Sequence, residues 1–200
     1  MNCCLLTDLV GGIDEAGRGP LAGPVVSSCV IWKHLPEDKN GVTDSKLLKE
    51  KERVSLFSWI MEHAYSVGVG VASREEIDAI NILRASLLSM ERALAATGIA
   101  PGLVLIDGNQ RIKNCPQGKT VVKGDRKCFY IASASIIAKV VRDRIMETYH
   151  FRYPEYNFKE HKGYATKDHK LAIMHYGVSP IHRRTFRGVK EYCEWPLSGK

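Results

Sequence analysis

The chain has 200 residues, 44% of them hydrophobic and 26% charged, with a formal net charge of +7. That length suits one domain with a real core, and the composition is that of a globular protein rather than a disordered or fibrous one. No apolar run approaches the ~20 residues of a membrane span, and Met1 to Asp8 lack the charged and long apolar regions of a signal peptide, so a cytoplasmic, non-membrane protein is expected.

The first predicted strand starts near Leu9, ends in Asp14-Glu15 and runs into Ala16-Gly17-Arg18-Gly19-Pro20-Leu21-Ala22-Gly23-Pro24. Glycine tolerates positive φ and proline fixes φ, so this backbone turns sharply and can approach a ligand closely. Neighbouring strand residues point to opposite faces. Asp14 and Glu15 can therefore serve one site only if the strand ends there and the longer Glu arm, or its carbonyl, reaches round. Taken alone, an acidic surface turn explains the same residues.

Ala22 to Trp32 is rich in β-branched residues and predicts a second strand antiparallel to the first; 33–42, with Pro36, Asp38, Asn40 and Gly41, is loop. Asp44-Ser45-Lys46 precedes a predicted helix with apolar positions Leu47, Leu48, Val54, Phe57, Ile60 and Met61. Asp44 or Ser45 as its cap puts Lys46 and free N–H groups at a helix N-terminus, a place that can hold a phosphate or simply be capped. Tyr65 to Ala72 predicts a third strand. Ser73-Arg74-Glu75-Glu76 is a capping box for a helix carrying Ile77, Ile80, Leu83, Leu87 and Met90, ended by Gly98 and Pro101.

Leu103 to Ile106 is a fully apolar strand that again terminates in an acid, Asp107, followed by Gly108 and Asn109. A strand apolar on both faces is normally a central one, covered by helices on both sides. Lys119 to Lys123 is a further short strand ending in Gly124-Asp125, and a helix follows from about Ala132 to Tyr149 with small Ala and Ser residues in its first turn. From Pro154 the chain becomes basic and aromatic, and Thr166 caps a short helix through His175, with Gly177 as its C′ residue and Pro180 beyond. The predicted organisation is an α/β core over 1–153 with a small basic helical segment over 154–200.

Between Lys159 and Lys190 stand eight Lys or Arg (159, 162, 167, 170, 183, 184, 187, 190) against Glu160 and Asp168, a surplus of +6 in a chain of net +7. Interleaved Tyr164, Tyr176 and Phe186 favour a nucleic-acid footprint over a solvated helix face. The six cysteines (3, 4, 29, 115, 128, 193) form no C-x-x-C pair and are read as reduced thiols; with the seven histidines they give no zinc-ligand spacing.

Three predicted strands thus end in acid, and ligand sites of open α/β sheets lie at strand ends. If these strands are neighbours, Asp14, Glu15, Asp107 and Asp125 converge, and such a cluster calls for cations. Oxygen-only ligands select Mg²⁺ or Mn²⁺, and two such ions sharing a carboxylate make a clamp for phosphodiester hydrolysis. On chemistry alone a metal-dependent nuclease leads over the alternative that Asp simply favours turns after strands.

Ile13-Asp-Glu-Ala-Gly-Arg-Gly-Pro-Leu-Ala-Gly-Pro24 closely resembles the opening motif of type 2 ribonucleases H, the ribonuclease HII family. The likeness continues in family order through Asp44-Ser-Lys46, Ile80-Asn-Ile-Leu83, Ile106-Asp-Gly-Asn109, Lys123-Gly-Asp125, Ala132-Ser-Ala-Ser-Ile-Ile-Ala-Lys-Val140 with Arg142-Asp-Arg144, His161-Lys-Gly-Tyr164 and His182-Arg-Arg184. The related type 3 enzymes are similar to a chain with an added N-terminal domain and a Glu as last acid; Asp at 125 fits type 2 better. The resemblance implies the ribonuclease H-like fold: α/β, a five-stranded mixed sheet flanked by helices, with the C-terminal helical segment over the substrate groove. It implies Asp14, Glu15, Asp107 and Asp125 as catalytic, metal-binding acids, and Gly17, Arg18, Gly19 and Tyr164 as readers of the RNA-to-DNA junction. Asp143 reads as structural rather than as a fifth ligand.

The junction readers make independent sense. Backbone groups of a Gly-Arg-Gly loop can reach a ribose 2′-OH, the group that tells RNA from DNA, and a tyrosine can stack on a sugar that lacks it. Lys46, Arg183 and Arg184 are expected as further substrate contacts. The expected function is an endonuclease, acting as a monomer with two Mg²⁺ or Mn²⁺ ions, that cuts the RNA strand of RNA–DNA hybrids and also at ribonucleotides embedded in duplex DNA, leaving 3′-hydroxyl and 5′-phosphate ends. Rival readings are a catalytically silent nucleic-acid-binding module of this fold and another enzyme of it, such as a junction resolvase or integrase.

Overall fold

Ser27 and Ser28, neighbours on one strand, bond to helices on opposite sides of the sheet. Ser27 Oγ lies 2.6 Å from Ser89 Oγ, and Ser28 Oγ donates to the Ala134 carbonyl at 2.8 Å. The two-residue period of a strand thus sets a three-layer helix–sheet–helix arrangement. The structure, a computed structural model, describes residues 8–193.

The central strand is β1, Val10–Ala16. It pairs antiparallel with β2 (Val25–Trp32), which pairs antiparallel with β3 (Ser66–Ala72) at one edge. On its other side β1 runs parallel to β4 (Leu103–Asp107), and β4 runs parallel to β5 (Gly118–Val121) at the far edge. The order β3-β2-β1-β4-β5 is the expected five-stranded mixed sheet. The apolar strand β4 lies between β1 and β5, next to the centre rather than at it, with Val104 and Ile106 buried and Leu103 and Leu105 half-buried.

One face is covered by α1 (Glu50–His63) and α3 (Phe129–Arg152), whose Leu56, Ile60, Ala134, Ile136 and Ile137 share a core with Val30 and Trp32. The other face is covered by α2 (Arg74–Ala96), where Met90 and Ala93 pack with Ile13, Cys29, Ile31 and Val104. The N-terminal turn of α3 crosses β1 so closely that a Cβ on Gly12 would overlap the Tyr130 carbonyl. Glycine is required there by contact alone.

Four differences from the sequence reading have local reasons, and β5 runs over Gly118–Val121 rather than 119–123. β2 begins at Val25 rather than Ala22, because the Gly23 N–H donates to Ile181 O at 2.9 Å and Leu21 O accepts from the Arg183 N–H at 2.8 Å. Neither Asp44 nor Ser45 caps α1; Lys49 is its N-cap, with its N–H donating to Glu52 at 2.7 Å. The capping box at Ser73 and Glu76 is present, but α2 is interrupted at Asn81 (φ 66°, ψ 163°), whose Oδ1 accepts from the Arg84 N–H and restarts the helix. Finally, α3 starts at Phe129, a turn earlier than Ala132.

The C-terminal residues form α4 (Phe158–His161) and α5 (Lys167–Tyr176), the latter capped by Thr166 and stopped at Gly177. Tyr156, Phe158 and Ile181 share a core with Ala22 and Met146, which seats these elements against the loop that follows β1. Among the described residues no helix is long and apolar enough to cross a membrane, and Cys29, Cys115, Cys128 and Cys193 are free thiols.

Candidate active site and nucleic-acid interface

Parallel pairing of β1 with β4 ends at Ile13 and Ile106, so Asp14 and Asp107 are the first residues past the last paired rung. By its pairing opposite Ser28, Asp14 is on the α3 side of the sheet, and Glu15, opposite Ser27, is on the α2 side. Because β1 ends at Ala16, Glu15 still reaches the common edge. One carboxylate oxygen from each of Asp14, Glu15 and Asp107 lies within 4.8 Å of the others. All donors are hard carboxylate oxygens, a set that fits Mg²⁺ or Mn²⁺ rather than zinc.

Burial pushes the Asp14 carboxyl well above its ordinary range; the charges of Glu15 and Asp107 push the same way, against a hydrogen bond from Ser135. Burial also raises Glu15, opposed by Arg18. Clustered, partly desolvated carboxylates of this kind are relieved by a cation.

Asp125 stands outside this trio. It lies on the 3₁₀ turn Gly124–Arg126, which is tied to β4 by the Gly124 N–H donating to Asp107 Oδ1 at 2.7 Å. Its Oδ2 accepts from Lys46 Nζ at 3.1 Å, while Arg18 stands 3.3 Å from Glu15 Oε1. Two acids therefore have cationic partners. Both cations are exposed, with side-chain accessibilities of 69% for Lys46 and 52% for Arg18.

Asp44 and Ser45 act at this edge instead of at a helix end. Asp44 is fully buried, accepts from the Lys46 N–H at 3.0 Å and pairs with Arg126 at 3.1 Å; Ser45 Oγ lies 2.9 Å from Ser135 Oγ on α3. They hold the Lys46 turn against the site. Asp143 pairs with Lys139 one helical turn away.

The loop after β1 is shaped from behind by two arginines. Arg183 donates from Nε to Gly23 O, from one terminal nitrogen to Arg18 O, and from the other to Gly17 O and Pro24 O. Arg142 donates to Pro24 O, Ala22 O and Lys162 O. Both side chains are buried. Burial lowers Arg183 to about 9, helped by the Arg142 charge, and lowers Arg142 to about 10. Both keep their protons at neutral pH. Burying each charge costs several kcal/mol, offset by charge-assisted bonds of about 1.5–3 kcal/mol each.

Arg183 therefore cannot meet a phosphate, a correction to its expected role: its donors are spent on loop carbonyls. Arg184 is exposed: its backbone N–H donates to Asp78 and its carbonyl accepts from Cys193, while its side chain makes no hydrogen bond among the described residues. Lys162 is engaged with Glu147 at 2.8 Å, and Phe186 packs in the core beneath the Arg183 guanidinium. Lys159, Lys167, Lys170, Arg184, Arg187 and Lys190 remain exposed.

With carbonyls drawn inward, Gly17-Arg18-Gly19 presents its outer edge beside Tyr164. A Cβ on Gly19 would lie 3.8 Å from Tyr164 Cε1, and the tyrosine is 45% exposed. The sequence reading brought Asp14, Glu15 and Asp107 to one edge, where the structure clusters them, but gave no part at this edge to Arg142, Ser135, Asp44 or Arg126. Of these only Arg142 left a sign, an arginine on the inward course of an apolar helix.

The family model described as Ribonuclease HII matches residues 11–189. Ribonuclease HII of Trichodesmium erythraeum is 51% identical over 190 residues, covering 91% of this chain and 88% of that protein. Ribonuclease HII of Geobacter metallireducens is 52% identical over 186 residues, covering 92% and 85%. Among solved structures, ribonuclease H2 from Pyrococcus horikoshii OT3 has a TM-score of 0.74 at 28% identity, covering 92% of this chain and 96% of that one.

Proposed function

Because the chain belongs to the ribonuclease HII family, nucleases that act on the RNA strand of RNA–DNA hybrids, we propose that it also cuts at ribonucleotides embedded in duplex DNA. The products carry 3′-hydroxyl and 5′-phosphate ends. In this reading Asp14, Glu15, Asp107 and Asp125 hold two divalent cations, Mg²⁺ or Mn²⁺. When bound, such ions supply the charge that activates a water and stabilises the leaving oxygen of an in-line displacement. The protein works as a cytoplasmic monomer, with the described part of its C-terminal segment, residues 154–193, over the substrate groove.

The observation that carries the reading is the juxtaposition of the three clustered carboxylates with the Gly17-Arg18-Gly19 edge and the exposed Tyr164 ring. Loop N–H groups at that edge take the ribose 2′-OH. The Tyr164 ring stacks on the following sugar, where a missing 2′-OH leaves room. Lys46 and Arg184 contact phosphates. Arg142 and Arg183 act on the loop and not on the nucleic acid.

A single assay tests it. Duplex DNA bearing one ribonucleotide and, in parallel, a continuous RNA–DNA hybrid are incubated with Mg²⁺ or Mn²⁺ and resolved on a denaturing gel. Cleavage at the ribonucleotide is expected; cleavage of a continuous hybrid with an intact embedded substrate overturns the junction reading, and no cleavage of either makes the chain a silent binding module.

A further inference from the structure

His169 and His182 are both fully buried, and neither touches the acids. Their hydrogen bonds fix where every proton lies. A carbonyl oxygen only accepts, so His169 Nδ1, 2.8 Å from Tyr164 O, carries a proton. A backbone N–H only donates, so His182 Nδ1, 3.0 Å from Ser179 N, carries none; the Ser179 hydroxyl lies 2.7 Å from the same atom. The Nε2–Nε2 bond of 2.9 Å therefore runs from His182 as donor to His169 as acceptor. Each nitrogen has one role, and the chain closes only with both rings neutral. Burial lowers His169 to about 4 and His182 to about 3.

The two ends of this chain are attached to the two proposed readers. At one end His182 bridges to Ala22, flanked by the bonds from the Gly23 N–H to Ile181 O and from the Arg183 N–H to Leu21 O, so it is sewn to the loop that begins at Gly17. At the other end is the carbonyl of Tyr164 itself. His161 stacks on His169 at 4.3 Å between centroids and accepts the Gly163 N–H at 3.2 Å, holding the residue before Tyr164. The rings of Phe158 and Tyr156 close the sides of the pair. The Tyr164 side chain makes no hydrogen bond among the described residues, so its aim is set by its backbone.

We infer that His169 and His182 are positioning residues that hold the recognition loop and Tyr164 at the spacing needed to read a ribonucleotide and the deoxyribose after it. Apolar packing alone would tolerate a small slide of one segment past the other, whereas a directional bond between two buried rings does not. The inference rests on the proposed junction reading, in which the loop takes the 2′-OH and Tyr164 the next sugar.

The test compares kcat/KM on a single embedded ribonucleotide and on a continuous hybrid for His169→Asn, His182→Asn, Tyr164→Ala and each His variant combined with Tyr164→Ala. Asparagine can reproduce the Nδ1 partner of either ring but not the Nε2 link. Each His variant is expected to lose roughly tenfold in preference for the embedded substrate, within the cost of a ~1 Å misplacement. No further preference should be lost when Tyr164 is already alanine. Equal losses on both duplexes, or losses that add fully to those of Tyr164→Ala, overturn the inference. If Tyr164→Ala itself discriminates and the His variants do not, the inference alone falls; if Tyr164→Ala does not discriminate, the junction reading falls and takes the inference with it. Should the variants not fold, imidazole ¹⁵N shifts of the unmodified protein at pH 7 decide. A neutral Nδ1–H ring at His169 and a neutral Nε2–H ring at His182 are expected, and any other tautomer breaks the chain of donors and overturns it.

Discussion

Arg142 Nε and Cδ occupy the space in which a side chain on Gly17 would begin. Gly17 also has φ +101°, outside the range that side-chain-bearing residues adopt readily. Gly17→Val therefore strains the backbone and displaces a buried guanidinium that holds three carbonyls. We expect a destabilisation of about 2–5 kcal/mol, the sum of left-handed strain and overpacking. Cleavage should fall on both the hybrid and the embedded substrate, because both contain the 2′-OH that the loop reads. Melting curves and kcat/KM on the two duplexes check this; a loss confined to one duplex would remove the loop from 2′-OH recognition.

Asp14→Asn, Glu15→Gln, Asp107→Asn and Asp125→Asn should each nearly abolish cleavage, since losing several kcal/mol of charge stabilisation slows a reaction by roughly a thousandfold or more. The stability response should run the other way. Asp14 is buried, and the charges of Glu15 and Asp107 disfavour its ionised form, so Asp14→Asn removes repulsion and should raise the melting temperature of metal-free protein. Added Mn²⁺ should raise the melting temperature of the unmodified protein and much less that of the variant, as expected of a ligand that binds only the folded state. A few-fold loss of rate at Asp107 would sink the four-carboxylate arrangement.

The two neighbouring arginines should separate cleanly. Arg184→Ala should lower the slope of log binding constant against log salt by about one, the signature of one lost phosphate contact, without changing the melting temperature. Arg183→Gln should instead unfold the protein at lower temperature, because the four carbonyls it serves lose a charged donor. A loss of ~3 kcal/mol, about 6–12 °C in a chain of this size, is expected. An unchanged salt slope for Arg184→Ala would assign that side chain to the surface alone.

Asp14 and Asp107 were legible because each sits where an apolar run stops at a carboxylate with a glycine close behind, and because strand ends are where sheets place ligands; Asp125 lies beyond the end of β5, on a 3₁₀ turn. The strands β2 and β3 end in no acid and were legible from their β-branched residues instead. What the sequence concealed is pairing across distance. Arg183 reads as one more charge in a basic stretch, and only the folded chain shows its nitrogens turned onto residues more than 150 positions earlier. Asp44 and Ser45 match a helix cap in every local respect, yet their partners are Arg126 and Ser135, brought near by α3. Asn81 lies inside a periodic apolar pattern that continues on both sides of the break, so periodicity carries no sign of it.

The His169–His182 pair gives the protein an acid sensitivity that can be signed in advance. Burial depresses both rings, to about 4 and about 3, while an unfolded histidine titrates near 6.5. Below about pH 6.5 the unfolded chain therefore binds protons that the folded chain refuses, and stability, fully present above that value, is lost as pH falls towards 4 and 3. With two such rings the slope reaches roughly 2.7 kcal/mol per pH unit, twice the ~1.36 of a single group. Between pH 6.5 and 5 ordinary carboxylates scarcely titrate, while Asp14 and Glu15, raised by burial, work in the opposite sense, so the ring is read from the difference between the unmodified protein and His182→Asn, in which both acids are common. The groups around the pair are His161, which burial lowers in the same direction, with Glu160 and Asp168 raising it in opposition. Urea unfolding at pH 6.5, 5.8 and 5.0 should show midpoints dropping with acidity, and His182→Asn should make the drop shallower by about one proton's worth. A slope in the variant equal to that of the unmodified protein would mean that His182 takes up its proton in the folded state at an ordinary pH, which the Ser179 N–H facing its Nδ1 does not permit.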